Sequence, residues 1–199
     1  MDLRDDRAQA VEAAMDDIRE ILAAGITDPA LGEARERLIA LANQAELFPR
    51  ADFPLPVAGE TDRTFRLRQD PDGTLALYVN SGVAGQTTRP HDHGSAWAIV
   101  VGVEGREQHR IYRRVDDHSQ PGVGRLEVAG ETEVAPGSGV VLAPGAIHSI
   151  HATAPEPLLH LHLYGQGFEH QSTRKEFDLA AGTYRAFELA DSGFIEDAP

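Results

Sequence analysis

Apolar residues recur with a helical period near the beginning of the chain. Val11, Met15, Ile18 and Leu22 are spaced three or four positions apart, with charged residues between them. This spacing places the four side chains on one face and is typical of an amphipathic helix. Gly25 ends the pattern, so the sequence predicts a first helix that stops shortly before it.

A second helical segment follows. Its start is indicated by Asp28-Pro29, an N-cap followed by proline at the first helical position. Its apolar stripe consists of Leu31, Leu38, Leu41 and Ala45. The proline-rich stretch from Pro49 to Pro56 ends the helical structure, because proline has no backbone donor. We therefore expect residues 1–56 to form a helical segment that packs on the rest of the protein.

After Pro56 the pattern changes to short extended runs that are separated by turn signals. The candidate strands are Thr64–Arg68, Thr74–Asn80, Trp97–Val103, Arg106–Arg114, Arg125–Val128, Gly139–Leu142, Ile147–Ala152, Leu158–Tyr164 and Thr183–Phe187. Closely spaced short strands without intervening helices favour a β-sandwich or barrel over a parallel α/β sheet. We expect residues 57–199 to form such a barrel, in one domain with the helices, and Ile195–Pro199 to be a frayed end.

Composition and charge exclude several classes of function. Of the 199 residues, 41% are hydrophobic, which argues against wholesale disorder, and the formal charge of −14 would repel nucleic-acid phosphates. The longest apolar run, Ala96–Val103, has eight residues, whereas a membrane span needs about 20. The N-terminus lacks the pattern of a signal peptide, and the chain has no cysteine. We expect a soluble, cytoplasmic protein with neither nucleic acid nor membrane as a partner.

The nine histidines are the most informative residues. His91 and His93 are two positions apart, so on a strand both imidazoles face the same side. His148 follows a Pro-Gly turn 55 residues after His93. Buried histidines are often only hydrogen-bonded core residues, but a His-x-His pair with a distant third histidine favours a site for iron, copper, nickel or zinc. We expect ordinary structural roles for four others, namely His109, His118, His151 and His170.

A second set of polar residues with a period of two lies in the segment Leu158–Tyr164. His160, His162 and Tyr164 alternate there with leucines. This pattern predicts a strand with one apolar face and one chemically active face. A tyrosine at the end of such a strand can be a packing residue, but the two histidines on its face favour a catalytic hydroxyl.

The two histidine motifs resemble the metal motifs of the cupin superfamily, which are a His-x-His and a later Pro-Gly-x-x-His. The glutamate that usually follows the first motif is missing, because Glu104, the nearest candidate, is eleven residues after His93. The resemblance implies a mainly β fold, a cupin-type double-stranded β-helix barrel, preceded here by the two helices. It also implies a metal held by His91, His93 and His148 without a carboxylate ligand.

From about Thr64 to Phe168 the chain resembles, more narrowly, the thiol dioxygenases of the cysteine dioxygenase group. The matching residues are Gly85–His93, Gly105, Glu156-Pro157 and residues 162–164. The family carries a Ser-x-His-x-Tyr strand, and in this chain His160 stands where the serine would be. Ala98 stands where some members have a cysteine linked to the tyrosine, so that cross-link cannot form.

This resemblance implies an Fe(2+) enzyme that uses O2 to oxidise a small thiol, such as cysteine or 3-mercaptopropionate, to its sulfinic acid. Tyr164 would act on the bound substrate, with His162 and His160 as its catalytic neighbours. The family binds the substrate carboxylate with an arginine on the strand before the His-x-His turn. Arg66 and Arg68 are both candidates, because they are two positions apart and would face the same side of that strand.

Other functions remain open at this stage. The chain could be a cupin metalloenzyme of another class, such as an isomerase or a dioxygenase that acts on carbon. It could also be a non-catalytic cupin that binds a small ligand. The sequence does not determine which thiol is the substrate, the oligomeric state or the role of the N-terminal helices.

Overall fold

Two helices begin the chain in the computed structural model, which describes residues 2–60, 62–152, 154–186 and 195–199. The first, α1, spans Leu3–Leu22, and the second, α2, spans Asp28–Ala42. Both present an apolar stripe to the interior. The buried members of the two stripes are Val11, Met15, Ile18, Leu31, Ala34, Leu38, Leu41 and Ala42.

Both ends of α2 differ from the sequence prediction. The N-cap is Thr27 and not Asp28, because the Thr27 backbone is extended and its side chain accepts a hydrogen bond from the Ala30 amide. Proline therefore takes the second helical position. At the other end the helix stops at Ala42, and Ala45 begins a short 3-10 turn in which it is exposed.

The rest of the described chain consists of strands and connecting turns. The strands are β1 Asp62–Gln69, β2 Ala76–Gly82, β3 Ala98–Glu104, β4 Glu107–Arg114, β5 Leu126–Val134, β6 Gly139–Leu142, β7 Ile147–His151, β8 Leu158–Tyr164, β9 Lys175–Asp178, β10 Thr183–Ala186 and β11 Ile195–Asp197. Every strand expected from the sequence has a counterpart, although the expected end of the last one, Phe187, lies outside the described residues.

The C-terminal residues were wrongly expected to fray. Ile195–Asp197 instead pairs in parallel with β1 and covers the edge that this strand would otherwise expose. The carbonyl oxygen of Pro199 also accepts a hydrogen bond from the buried guanidinium of Arg7. The sequence signal was weak, because the three paired residues carry no alternating pattern. β9 was missed for the same reason.

Two facing sheets enclose the interior. One has the order β11-β1-β2-β8-β3-β6 and the other β5-β4-β7, while β9 and β10 form a separate pair. Consecutive strands from β3 to β8 are divided between the two sheets, and side chains of β8 meet side chains of β4 across the interior. This arrangement is a double-stranded β-helix. The predicted mainly β fold with two N-terminal helices is therefore confirmed.

The six-stranded sheet has an apolar layer on each face. On its outer face Leu77, Ile99 and Leu161 pack in one core with the helical stripes. On its inner face a second cluster contains Tyr78, Val100 and Tyr164. The helices thus cover the outside of the sheet, and the polar residues of β8 are directed inward.

No helix in the described part of the chain is long and apolar enough to cross a bilayer.

Candidate metal centre

The three histidines expected to be ligands come together in the interior. His91 and His148 are joined by two backbone hydrogen bonds, in which each amide donates to the other's carbonyl at 2.8 and 2.9 Å. His93 follows two residues later, and its Nε2 lies 3.1 Å from Nε2 of His148. One ring nitrogen from each residue lies within 4.8 Å of the others.

The turn after His93 and the turn before His148 hold these two residues close together. Gly94 and Gly145 both have a positive φ, of 61° and 73°, which glycine adopts without strain. The Gly145 amide donates to the Gly94 carbonyl at 2.9 Å, so the loop after His93 is attached to the turn before His148. The Pro-Gly signal in the sequence thus has a direct geometric role.

The three imidazoles suit a divalent metal. Burial lowers the pKa of each, to about 4 for His91 and well below the usual value for His93 and His148, and the nearby positive charge of Arg174 lowers those of His91 and His93 further. The rings are therefore neutral near pH 7, which is the form that binds a metal. The two Nε2 atoms of His93 and His148 are 3.1 Å apart, a spacing that suits two ligands of one ion.

Glu104 is not part of this cluster. It lies at the end of β3, and its carboxylate accepts a hydrogen bond from Nε of Arg50 at 2.8 Å. The candidate ligands His91, His93 and His148 are therefore three neutral side chains.

Tyr164 and His162 form a pair beside the ligands. Nδ1 of His162 is 3.1 Å from the Tyr164 hydroxyl, and the tyrosine ring lies 5.1 Å from that of His93. Burial lowers the pKa of His162 to about 3, against the opposing effect of Glu107, and burial raises the pKa of Tyr164. The pair therefore consists of a neutral imidazole and a protonated hydroxyl at neutral pH.

Sequence reasoning missed a buried network behind His148. Its Nδ1 lies 3.1 Å from Nδ1 of His109, and Nε2 of His109 lies 2.7 Å from the carboxylate of Glu107. His109 is a contact of a candidate ligand, where an ordinary structural role was expected. The signal that could have revealed it is the Glu-x-His spacing on β4, which puts both side chains on one face.

His160 reaches the same carboxylate from the opposite sheet. Its Nδ1 is 3.0 Å from Oε1 of Glu107. Glu107, His160 and His162 form a second group whose nitrogen and oxygen atoms lie within 4.8 Å of one another. Burial alone would raise the pKa of Glu107, but His160 and His109 outweigh it and hold that pKa well below its usual range.

Arg66 and Arg68 were expected to share a face of the strand, and this expectation is wrong. A β-bulge lies between them, so Arg66 pairs with Tyr78 whereas Arg68 pairs with Leu77, whose side chain faces the helices. Arg68 is bound to Glu12 of α1 at 2.8 Å. Arg66 is on the inner face but lies at its rim, where it donates two hydrogen bonds to Asp197.

Arg174 is a buried cation near the cluster that the sequence did not indicate. Its side chain is 6% exposed and lies in the connection that leads into β9. Its charge acts on His91, His93 and Tyr164, and its Nε donates to the carbonyl of Asp92 at 3.4 Å. The surrounding residues have no periodic pattern, so only the tertiary structure reveals this position.

No family model and no curated protein matches this sequence. Among solved structures, the TT1209 protein of Thermus thermophilus is 16% identical, with a TM-score of 0.45, over 60% of this chain and 97% of that one. A double-stranded β-helix protein of Klebsiella pneumoniae is 16% identical over 60% and 84% of the two chains, with a TM-score of 0.43. An oxalate oxidase bound to glycolate is 15% identical, with a TM-score of 0.44, over 60% of this chain and only 59% of its own length. At these identities the similarity concerns the fold alone.

Replacing any one of His91, His93 or His148 by alanine should abolish stoichiometric metal binding, because two imidazoles do not retain a divalent ion tightly. The fold should persist, since no apolar core residue is removed. Elemental analysis after loading with Fe(II) or Zn(II), together with circular dichroism, measures both effects. His151→Ala is the matched control, because His151 is also on β7 but is bonded to Ser149. Metal retained by two of the three variants would contradict this ligand set.

Proposed function

We propose that this protein is an iron(II)-dependent thiol dioxygenase that converts a small thiol and O2 to a sulfinic acid. The observation that carries the proposal is the combination of three neutral histidines with a His162–Tyr164 pair beside them, in which Tyr164 is buried and His162 half-buried. The reaction needs no other reductant, because the sulfur loses four electrons and both oxygen atoms of one O2 end on it.

The neutrality of the candidate ligands favours a thiol as the substrate. Three imidazoles leave a divalent ion its full charge, whereas a carboxylate ligand would reduce the net charge to 1+. When bound, Fe(II) supplies the charge that holds a thiol as its thiolate and the redox chemistry that joins O2 to the sulfur.

Tyr164 is suited to donate a hydrogen bond to the reacting groups. Its hydroxyl keeps its proton at neutral pH, since burial raises its pKa. His162 holds the hydroxyl at 3.1 Å and thereby sets its direction. A fixed donor of this kind is more effective than water, because it needs no reorganisation during the reaction.

We infer that Arg174, rather than Arg66, binds a substrate carboxylate. A carboxylate in the interior is costly to desolvate unless a cation meets it, and a guanidinium does so with a planar pair of donors. Arg174 is buried, and its charge acts on His91, His93 and Tyr164. Arg66 is engaged with Asp197 at the rim. Arg68 is on the opposite face of the sheet.

The iron-loaded protein should consume O2 with one or more small thiols and release the matching sulfinate. An oxygen electrode combined with mass spectrometry of the product tests this across cysteine, 3-mercaptopropionate and cysteamine. Incorporation of two labelled oxygen atoms from 18O2 is the expected signature. Iron binding without oxygen uptake for any thiol would contradict the proposal and would favour another cupin reaction or a ligand-binding role.

Tyr164→Phe should lower turnover by about 100-fold, the scale of one acid–base or electrostatic contact. Metal content and the melting temperature should change little, because only a hydroxyl is lost. Steady-state oxygen uptake measures the effect. Wild-type turnover in this variant would show that Tyr164 only packs.

Arg174→Met should raise KM for thiols that carry a carboxylate by about 10- to 100-fold, as expected for the loss of a charged hydrogen-bond pair. Methionine keeps most of the buried volume, so the fold should remain. Cysteamine, which has no carboxylate, should respond little.

Arg66→Met is the matched control, since it removes a guanidinium from the rim. If KM for carboxylate-bearing thiols rises in Arg66→Met and not in Arg174→Met, the carboxylate contact belongs to Arg66 instead.

A further inference from the structure

We propose that Glu107 is a positioning residue of the metal centre, which acts through His109 to fix the ring of His148. This inference rests on the metal site within the proposed function. It does not depend on which thiol, if any, is oxidised.

The three side chains form a continuous buried line across two neighbouring strands. Glu107 and His109 are two positions apart on β4, and His148 is on β7, which pairs with β4 in antiparallel register. The rings of His109 and His148 are almost parallel, with an angle of 9° between their planes and 5.1 Å between their centres. Each of these residues is at most 4% exposed, so water does not compete for their hydrogen bonds.

The position of each proton follows from this geometry. Nε2 of His148 faces Nε2 of His93 and would be the nitrogen that holds a metal, in which case Nδ1 of His148 would carry the proton. That proton is donated to Nδ1 of His109. Nδ1 of His109 would then be the acceptor, and the Nε2–H of His109 would donate to the carboxylate of Glu107.

This chain of donors has two effects on a bound ion. It locks the ring of His148 in one tautomer and one orientation, and it increases the electron density of the ligating nitrogen. The negative charge of Glu107 strengthens the terminal hydrogen bond and, through it, the whole chain. Glu107 thereby contributes to metal affinity without being a ligand.

A second contact of Glu107 extends its influence to the opposite sheet. Oε1 is 3.0 Å from Nδ1 of His160, which lies two positions before His162 on β8. The same carboxylate therefore links the strand behind the metal ligands to the strand that carries the His162–Tyr164 pair.

The group Glu107, His160 and His162 could instead be interpreted as a second metal site, because its potential ligand atoms are close together. Two of its potential ligand atoms have other partners: Oε1 of Glu107 lies 2.7 Å from Nε2 of His109, and Nδ1 of His162 is bonded to Tyr164. A second divalent ion would also face the repulsion of the first, with only one carboxylate between them.

The experiment compares Glu107→Gln with the wild-type protein. Glutamine keeps the shape and an acceptor oxygen but removes the charge. We expect the dissociation constant for Zn(II), measured by competition with a chelating dye, to increase by about 10- to 100-fold. We also expect the proton resonance of His148 Nδ1–H in the zinc-loaded protein to move upfield, because its hydrogen bond becomes weaker.

Glu131→Gln is the matched control. It also removes one carboxylate, but from an exposed position on β5 where the partner is Arg110. Both the zinc affinity and the His148 resonance should remain at wild-type values in this variant.

A measurement on the wild-type protein makes the test independent of whether the variant folds. Nitrogen-15 shifts of the zinc-loaded protein report the tautomers directly, and we expect protonated Nδ1 in His148 and protonated Nε2 in His109. The opposite tautomer of His109, or unchanged zinc affinity in a folded Glu107→Gln, would overturn the inference and leave the proposed function intact.

Two further results distinguish the inference from the proposed function. Binding of two zinc ions to the wild-type protein, with one lost in Glu107→Gln, would make Glu107 a ligand and overturn its positioning role. Failure of the wild-type protein to bind any divalent ion would overturn the metal centre itself, and the proposed function with it.

Discussion

The alternation of side chains along β8 is the constraint on which the rest of the structure depends. Leu159, Leu161 and Leu163 face the helices, and His160, His162 and Tyr164 face the interior. Each fully buried leucine contributes about 1.5–3 kcal/mol relative to an exposed one. A shift of one residue would bury the imidazoles under the helices and expose the leucines to the polar interior, so this register is strongly favoured.

The helical layer explains how a barrel can hold so many polar groups in its interior. Burying imidazoles, a carboxylate and a guanidinium is costly, even when they are paired. The apolar layer between the helices and the outer face of the large sheet offsets this cost, because it gives the domain a core that does not involve the site. The interior can therefore hold polar and charged side chains without making the fold unstable.

Charge is arranged unevenly around the candidate ligands. The positive charge of Arg174 acts on His91, His93 and Tyr164, whereas the carboxylate of Glu107 lies behind His148. The first residues are therefore exposed to positive charge, while His148 is connected through His109 to a negative one. The bulge in β1 keeps two further guanidinium groups away from the ligands, because Arg68 faces the outside of the sheet and Arg66 lies at the rim.

Local sequence patterns determined the parts of this protein that depend on residue spacing. The helical stripes, most strands and the inward face of β8 follow from periods of 3.6 and 2, whereas the clustering of His91, His93 and His148 was implied by the cupin-like motifs. The tertiary structure decided what depends on distant or irregular contacts. The bulge reversed the face of Arg68, β11 paired with β1 from the far end of the chain, and Arg174 came to the site from a connection without periodicity. His109 and Glu107 share a face that the sequence predicts, but only the pairing of β4 with β7 places them behind His148.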